Sequence, residues 1–298
     1  MTISDLVSEM PDKSEIRQRL FEHVRYLSET LGDRSIYRPE VLKAAETYVH
    51  QTFLSLGYPT NRQGFLYQRQ GVANIIAGHP NNTGYYILGA HFDTVAGTPG
   101  ADDNASGIAV LLETARLARS LRPPSPWVFI GFTTEEPPAF LTPYMGSRVY
   151  ARRAKERGDR IKGMLCLEMV GYYRHEPDSQ PLPFPLKYLG YPTTGNFIAL
   201  VSDRRSRPLL TALEHALKNG CHLPVSSIAV PMGGYLLPES RLSDHASFWD
   251  QGYPALMITD TAFLRNPHYH SPRDLLATLD FDAMVELTVG LHYFIQQA

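Results

Sequence analysis

The chain carries acids and histidines where its apolar runs stop. His91-Phe-Asp93 follows the run 85–90, Glu135-Glu136 follows 127–132, and His268-Tyr-His270 lies beyond 255–258. Glu168 stands among apolar neighbours within 164–171, and Asp103 opens the helix expected after the first of these runs. Imidazole and carboxylate together suit a divalent transition metal such as zinc, manganese or cobalt. With 11 His but only Cys166 and Cys221, the chain cannot build a Cys-rich cage or a disulfide framework, and its composition argues against an iron–sulfur cluster.

Each residue also has a plainer reading. His91 and Asp93 can be an ordinary loop pair, and Glu135-Glu136 a solvated acidic turn. That pair, however, joins a buried strand to Pro137-Pro138, where the chain turns sharply. Two carboxylates in such a turn can converge on one site, which a straight strand with alternating faces forbids. An ionised Glu168 in an apolar strand is costly unless paired; a buried arginine, or a cation shared with His91 and Asp103, would each satisfy it. Asp102 or Asp103 can simply cap a helix. Yet glycines on both sides allow close backbone approach, a helix start favours negative charge, and a carboxylate has two oxygens with which to bridge two cations. His270 is held in a stiff loop between Asn266-Pro267 and Pro272; His268 is the weaker candidate.

Positioning these groups falls to alternating helices and strands. Helical spacing is read through Ile16, Leu20, Val24 and Leu27, again after Pro39 through Phe53, and over 104–121, 147–157, 209–217 and 284–295. Apolar runs at 72–77, 85–90, 127–132, 163–167, 197–201 and 255–258 read as strands. Strands of continuous apolar character alternating with helices predict an α/β fold with a mixed, mostly parallel central sheet and helices on both faces. In such sheets ligands gather beyond the carboxyl ends of the strands. We read one catalytic domain over 1–298, with 1–11 flexible and the Pro-rich stretch 181–192 a surface excursion. The formal net charge of -2 argues against a nucleic-acid partner. No apolar stretch is long enough to span a membrane, and the opening residues do not have the order of a signal peptide. The expectation is therefore a cytoplasmic monomer.

In family order, Gly89-Ala-His91-Phe-Asp93, Gly100-Ala-Asp-Asp103-Asn-Ala-Ser-Gly107, Glu135-Glu136, Leu167-Glu168-Met, Ser243-Asp-His-Ala-Ser247 and His270-Ser-Pro-Arg-Asp274 resemble the two-zinc exopeptidases typified by bacterial leucyl aminopeptidases. That family also includes glutamate carboxypeptidases and glutaminyl cyclases. The resemblance spans residues 14–297 and implies a zinc-exopeptidase (phosphorylase/hydrolase-like) architecture acting on a peptide substrate with two zinc ions, for which manganese or cobalt can substitute. It implies His91 and Glu168 on one ion, Glu136 and His270 on the other, and Asp103 bridging them. Asp93 would stand behind His91 and accept its other ring N–H. Glu135 would be the general base, moving a proton from water to the leaving amine. Tyr269 would be the phenol that stabilises the oxyanion. Two departures concern substrate preference: relatives commonly carry Asp where this chain has Glu168, and the connection 137–145 is long, offering Phe140, Tyr144 and Met145 as apolar walls.

The leading expectation is a metal-dependent aminopeptidase. A carboxypeptidase on the same scaffold would need a cationic clamp, for which Arg204, Arg205, Arg207 and Arg241 are the candidates. Cyclases typically use one zinc, so all five apparent ligands favour hydrolysis. A binding module on a dead peptidase fold would have lost ligands or base. Ser243-Asp244-His245 lacks a nucleophile elbow, His175-Glu176 is broken by Pro177 as a zinc helix, and the acceptor match Asn104-Ala-Ser106 falls in the proposed metal loop.

Overall fold

The computed structural model describes residues 11–123, 126–184 and 186–298. The expectation for 1–11 therefore falls, apart from Pro11, outside the described residues. A single sheet of eight strands organises the rest: β1 (Thr60–Tyr67), β2 (Gln70–Ala77), β3 (Tyr85–His91), β4 (Trp127–Phe132), β5 (Ile161–Glu168), β6 (Ile198–Asp203), β7 (Val225–Val230) and β8 (Ala255–Thr259). Their order is β1-β2-β4-β3-β5-β8-β6-β7. Neighbours β4, β3, β5 and β8 run parallel. The β1–β2 hairpin joins antiparallel to β4, and β6 lies antiparallel to β8 but parallel to β7. This is the mixed α/β sheet expected.

Helices cover both faces. On one, α1 (Lys13–Arg25), α2 (Pro39–Ser55), α3 (Gly107–Ala118), α5 (Arg207–Gly220) and α7 (Phe281–Gln297) pack against Leu88, Phe129, Leu165, Leu200 and Ile258. On the other, α4 (Gly146–Arg157) and α6 (His245–Asp250) pack against Ile87, Ile130, Met164 and Cys166. Alternate residues of each central strand thus feed two cores, which is why these strands read as continuous apolar runs.

Sequence reasoning misses β1 and β7, the two edges. β1 is Thr-Asn-Arg-Gln-Gly-Phe-Leu-Tyr and largely exposed, and β7 carries Ser226 and Ser227 half-buried; with one side facing solvent, neither shows a buried strand's composition. The helix expected from residue 104 begins only at Gly107. Before it, Ala101–Ser106 form an irregular turn in which Asp103 (φ -103, ψ 89) and Asn104 (φ -131, ψ 39) leave helical geometry. Asn104 Oδ1 accepts the N–H of Gly107 at the start of α3, and the side chains of Asp102, Asn104 and Ser106 also accept N–H groups of the segment after β5.

Candidate metal centre

The carboxyl ends of β3, β4 and β5 are adjacent in the sheet, so His91, the Glu135-Glu136 turn and Glu168 arrive together. Asp103 and His270 enter from the loops before α3 and after β8. The ligand-capable atoms of His91, Asp103 and Glu168 lie within 4.8 Å of one another, as do those of Asp103, Glu136 and His270. The two groups share Asp103. One of its oxygens is 3.4 Å from His91 Nε2, the other 3.2 Å from His270 Nε2. Glu168 Oε2 is 3.5 Å from His91 Nε2 and Glu136 Oε2 is 3.4 Å from His270 Nε2. Glu135 Oε2 lies 4.0 Å from His91 Nε2.

These residues fit a metal on two observations. Ligands held about 2.0–2.1 Å from a tetrahedral ion stand roughly 3.3 Å apart, close to the spacings within each group. His91 Nε2, Asp103 Oδ1 and Glu136 Oε1 are also buried without a hydrogen-bond partner. Such atoms cost free energy unless something satisfies them, and a divalent cation would satisfy all three. As protein groups alone they compete for protons. Burial, then Asp103, lifts Glu136 to about 8. Burial together with Glu168 and Glu136 pushes Glu135 well above the carboxylate range, against the pull of His91. Burial opposes charge on His270, but hydrogen bonds to Asp103 and Glu136 prevail and raise it to about 10.

Two carboxylates fix the backbone under these groups. Asp93 accepts the N–H of Glu135 at 3.1 Å and that of Glu136 at 3.0 Å. Asp93 also stands behind His91, whose Nδ1 lies 3.2 Å from the Asp93 carbonyl and 3.7 Å from its carboxylate. Asp274 accepts the N–H of Asp102 at 2.8 Å and of Asp103 at 3.0 Å. Asn104 donates to Leu167 O and accepts from the N–H of Met169, and Ser106 Oγ accepts from that of Val170; the turn bearing Asp103 is thereby tied to the strand end bearing Glu168. Gly100 adopts φ +60, and a Cβ there would strike Asp103 O and Thr94. Fully buried Arg34 donates to the carbonyls of Leu27, Phe92, Pro99 and Gly100, closing the floor beneath. Ser243 Oγ donates to Glu168 Oε2 at 2.5 Å.

Asp274, Ser243 and Arg34 carry roles that sequence reasoning does not assign. The first two sit inside the quoted motifs, but a backbone clamp and a ligand's donor leave no mark in spacing. Tyr269 stacks on the His270 ring at 3.7 Å, and burial pushes its phenol far up. His268 sits apart, edge-on to Tyr172. The apparent triad dissolves: Ser243 serves Glu168, while His245 Nε2 meets Ser240 O. Asn104 is fully buried and bonded, so it is no sugar acceptor.

An apolar cavity opens at Glu168 and Tyr269. Phe140, Tyr144 and Met145 do not line it, contrary to expectation: Met145 is buried ahead of α4, and Tyr144 packs on Tyr67. The excursion at 181–192 contributes instead, through Leu182, Pro183, Leu186 and Tyr191. Arg204, Arg205 and Arg207 follow β6, whose carboxyl end lies beside the start of β8 because the two strands are antiparallel. They are thus at the opposite end of the sheet from Glu168. Arg241 is bonded to Asp250 and stacked on Tyr235.

Residues 74–295 match the model of peptidase family M28. The uncharacterized protein YfbL of Escherichia coli (strain K12) is 36% identical over 283 residues, 92% of this chain and 86% of its own. Leucine aminopeptidase 1 of Fusarium vanettenii is 27% identical over 244 residues, 76% of this chain but 55% of its own; the chain spans about half the length of such fungal enzymes. Among solved structures, a Zn-dependent exopeptidase from Parabacteroides distasonis superposes with a TM-score of 0.70 at 18% identity, covering 97% of this chain and 100% of that one. Bacteroides thetaiotaomicron glutaminyl cyclase gives 0.69 at 17%, covering 95% and 98%. At these identities the likeness is one of fold. The family match over most of the chain and the similarity to YfbL carry the conclusion: the chain belongs to peptidase family M28 and is a metallopeptidase of that family.

Proposed function

We propose that the chain is an aminopeptidase working with two divalent ions. The observation that carries this reading is the shared carboxylate: Asp103 turns one oxygen to His91 and the other to His270, while Glu168 and Glu136 each complete a group. His91, Asp103 and Glu168 would hold one ion, and Asp103, Glu136 and His270 the other. When bound, zinc, or manganese or cobalt in its place, supplies Lewis acidity and makes a nearby water more acidic.

The chain's own groups do the rest. Glu135 is buried among other acids that raise its proton affinity, so it can take the proton of the attacking water and hand it to the leaving amine. Asp93 holds it in place through its backbone N–H. Tyr269, whose phenol burial pushes up, would donate to the oxyanion that develops at the scissile carbonyl.

The charges favour an amino over a carboxyl terminus. Among the described residues lining the cavity the only charged ones are Glu168 and Glu239, which suit an ammonium and repel a carboxylate. The candidate arginine clamps lie at the far end of the sheet or are already engaged. Five ligand-type residues plus a base speak against a one-zinc cyclase and against an inactive binding module. A panel of N-free, N-blocked and N-terminal-glutamine peptides with added zinc, manganese or cobalt tests the reading. Cleavage confined to N-free peptides is expected; cleavage from the carboxyl end, or cyclisation of the N-terminal glutamine on the intact peptide with loss of ammonia, would overturn it.

A further inference from the structure

Helices α4 and α6 cover one face of the sheet over β4, β3 and β5. α6 reaches the start of β8 at Ala255; over Met257 and Thr259 of β8, and over β6 and β7, the cover on that face comes from two loops. Beneath them lies a half-open cavity of about 120 Å³. Leu182, Pro183, Leu186 and Tyr191 roof it from one loop, Leu237 and Leu242 from the other.

Its floor follows the strand register. Glu168 pairs with Thr259, Thr259 with Ala199, and Ala199 with Ser226. Paired residues point to one face, so these four side chains form a row across four strands that starts at the metal centre. Beside it runs a second row, Met257, Val201 and Ile228. Beyond Glu168 the first row is small and the second apolar, which makes a narrow channel perpendicular to the strands. Three strand spacings of ~4.8 Å carry it roughly 14 Å from the strand of Glu168 to that of Ser226. A leucine side chain is too short to reach β7.

We propose that this channel sets substrate choice by admitting, at the N-terminal residue, an unbranched apolar side chain longer than the encoded ones. The proposal rests on the aminopeptidase reading for the place of the amine, and on the register rows for the length. Each buried methylene should raise kcat/KM roughly fourfold until the chain reaches Ser226, after which the series goes flat.

The test uses the zinc-loaded enzyme and 4-nitroanilides of straight-chain 2-amino acids of increasing length. Separately, the matching straight-chain 2-amino alcohols are titrated calorimetrically, a readout that needs no turnover. Rate and affinity are expected to climb together past leucine. Ala199→Phe, midway along the row, should abolish the advantage of long members over short ones. Ser226→Phe, at the far end, should trim only the longest, and it stands in if the first variant fails to fold. A series that peaks at the member matching leucine in length and falls beyond it in both readouts overturns the channel and leaves the aminopeptidase reading standing. Affinity that climbs with chain length while no member is hydrolysed upholds the channel and overturns the activity. Gains that survive both substitutions place the long chain elsewhere and overturn the proposal.

Discussion

Glu135 and Glu136 are neighbours of the same type, yet the turn that holds them gives them separate work. Glu136 Oε2 faces His270, while Glu135 lies nearer His91 and forms part of neither group that shares Asp103. Glu135 also stands with His91 and Glu136 in a third group of ligand-capable atoms; on the proposed roles, Glu135→Gln removes a base and no ligand. It should keep its metal in elemental analysis while turnover falls by about 10²–10⁴-fold; retained turnover would place the base elsewhere. Ser243 Oγ restrains the carboxylate of Glu168. Removing such a partner of a ligand typically costs about 10–100-fold in metal affinity. Ser243→Ala is therefore expected to weaken one of two ions in a competitive chelator titration and to spare the other; equal weakening of both would show that Ser243 acts on the whole site.

At the scale of elements, the site is a set of strand ends and turns pinned by carboxylates to backbone N–H groups. Asp93→Asn keeps the shape but replaces one acceptor oxygen with a donor facing an N–H. Because Asp93 holds the amides of both Glu135 and Glu136, turnover and metal affinity should fall together, in contrast to Glu135→Gln. A variant that lost only one of the two would separate the pair. Apolar runs ending at or shortly before His91, Glu135 and Glu168 were legible in sequence because buried strands cannot conceal their composition, and the strand-end rule then pointed to the residues that the fold brings together. Asp274 was not legible as a clamp, because its partners are backbone amides some 170 residues away. The cavity roof was misassigned to 137–145 because proximity in sequence to Glu135 says nothing of which sheet face a loop crosses. The start of α6 offers a further measurable consequence. His245 is fully buried, and burial lowers it from 6.5 to about 4. The unfolded chain takes that proton first, so this contribution to stability is intact above pH 6.5 and is lost as pH falls towards 4. About 2.5 units amount to roughly 3 kcal/mol. Denaturant midpoints should therefore decline less steeply across that window for His245→Gln than for the unaltered chain; parallel declines would remove His245 from the acid response.

For the molecule as a whole, the metal centre joins segments that only the folded sheet brings together, from His91 on β3 to His270 beyond β8. The unfolded chain has no equivalent site, so ions bound here stabilise the native state by mass action: about 2.7 kcal/mol per site at a hundredfold excess over Kd. Two divalent ions would also shift the formal charge from -2 to +2 (-2 + 4) and relieve the mutual repulsion of Asp103, Glu135, Glu136 and Glu168. For a chain of this size, ~1 kcal/mol moves the melting temperature by about 2–4 °C. Removing the metal with a chelator should accordingly lower Tm by on the order of 10 °C, and zinc should restore it. The control is Glu135→Gln, which keeps every ligand and should show the same shift while remaining inactive. If a chelator left Tm unchanged in both proteins while abolishing turnover in the active one, the metal would be catalytic but too weakly coupled to the sheet to help hold it together.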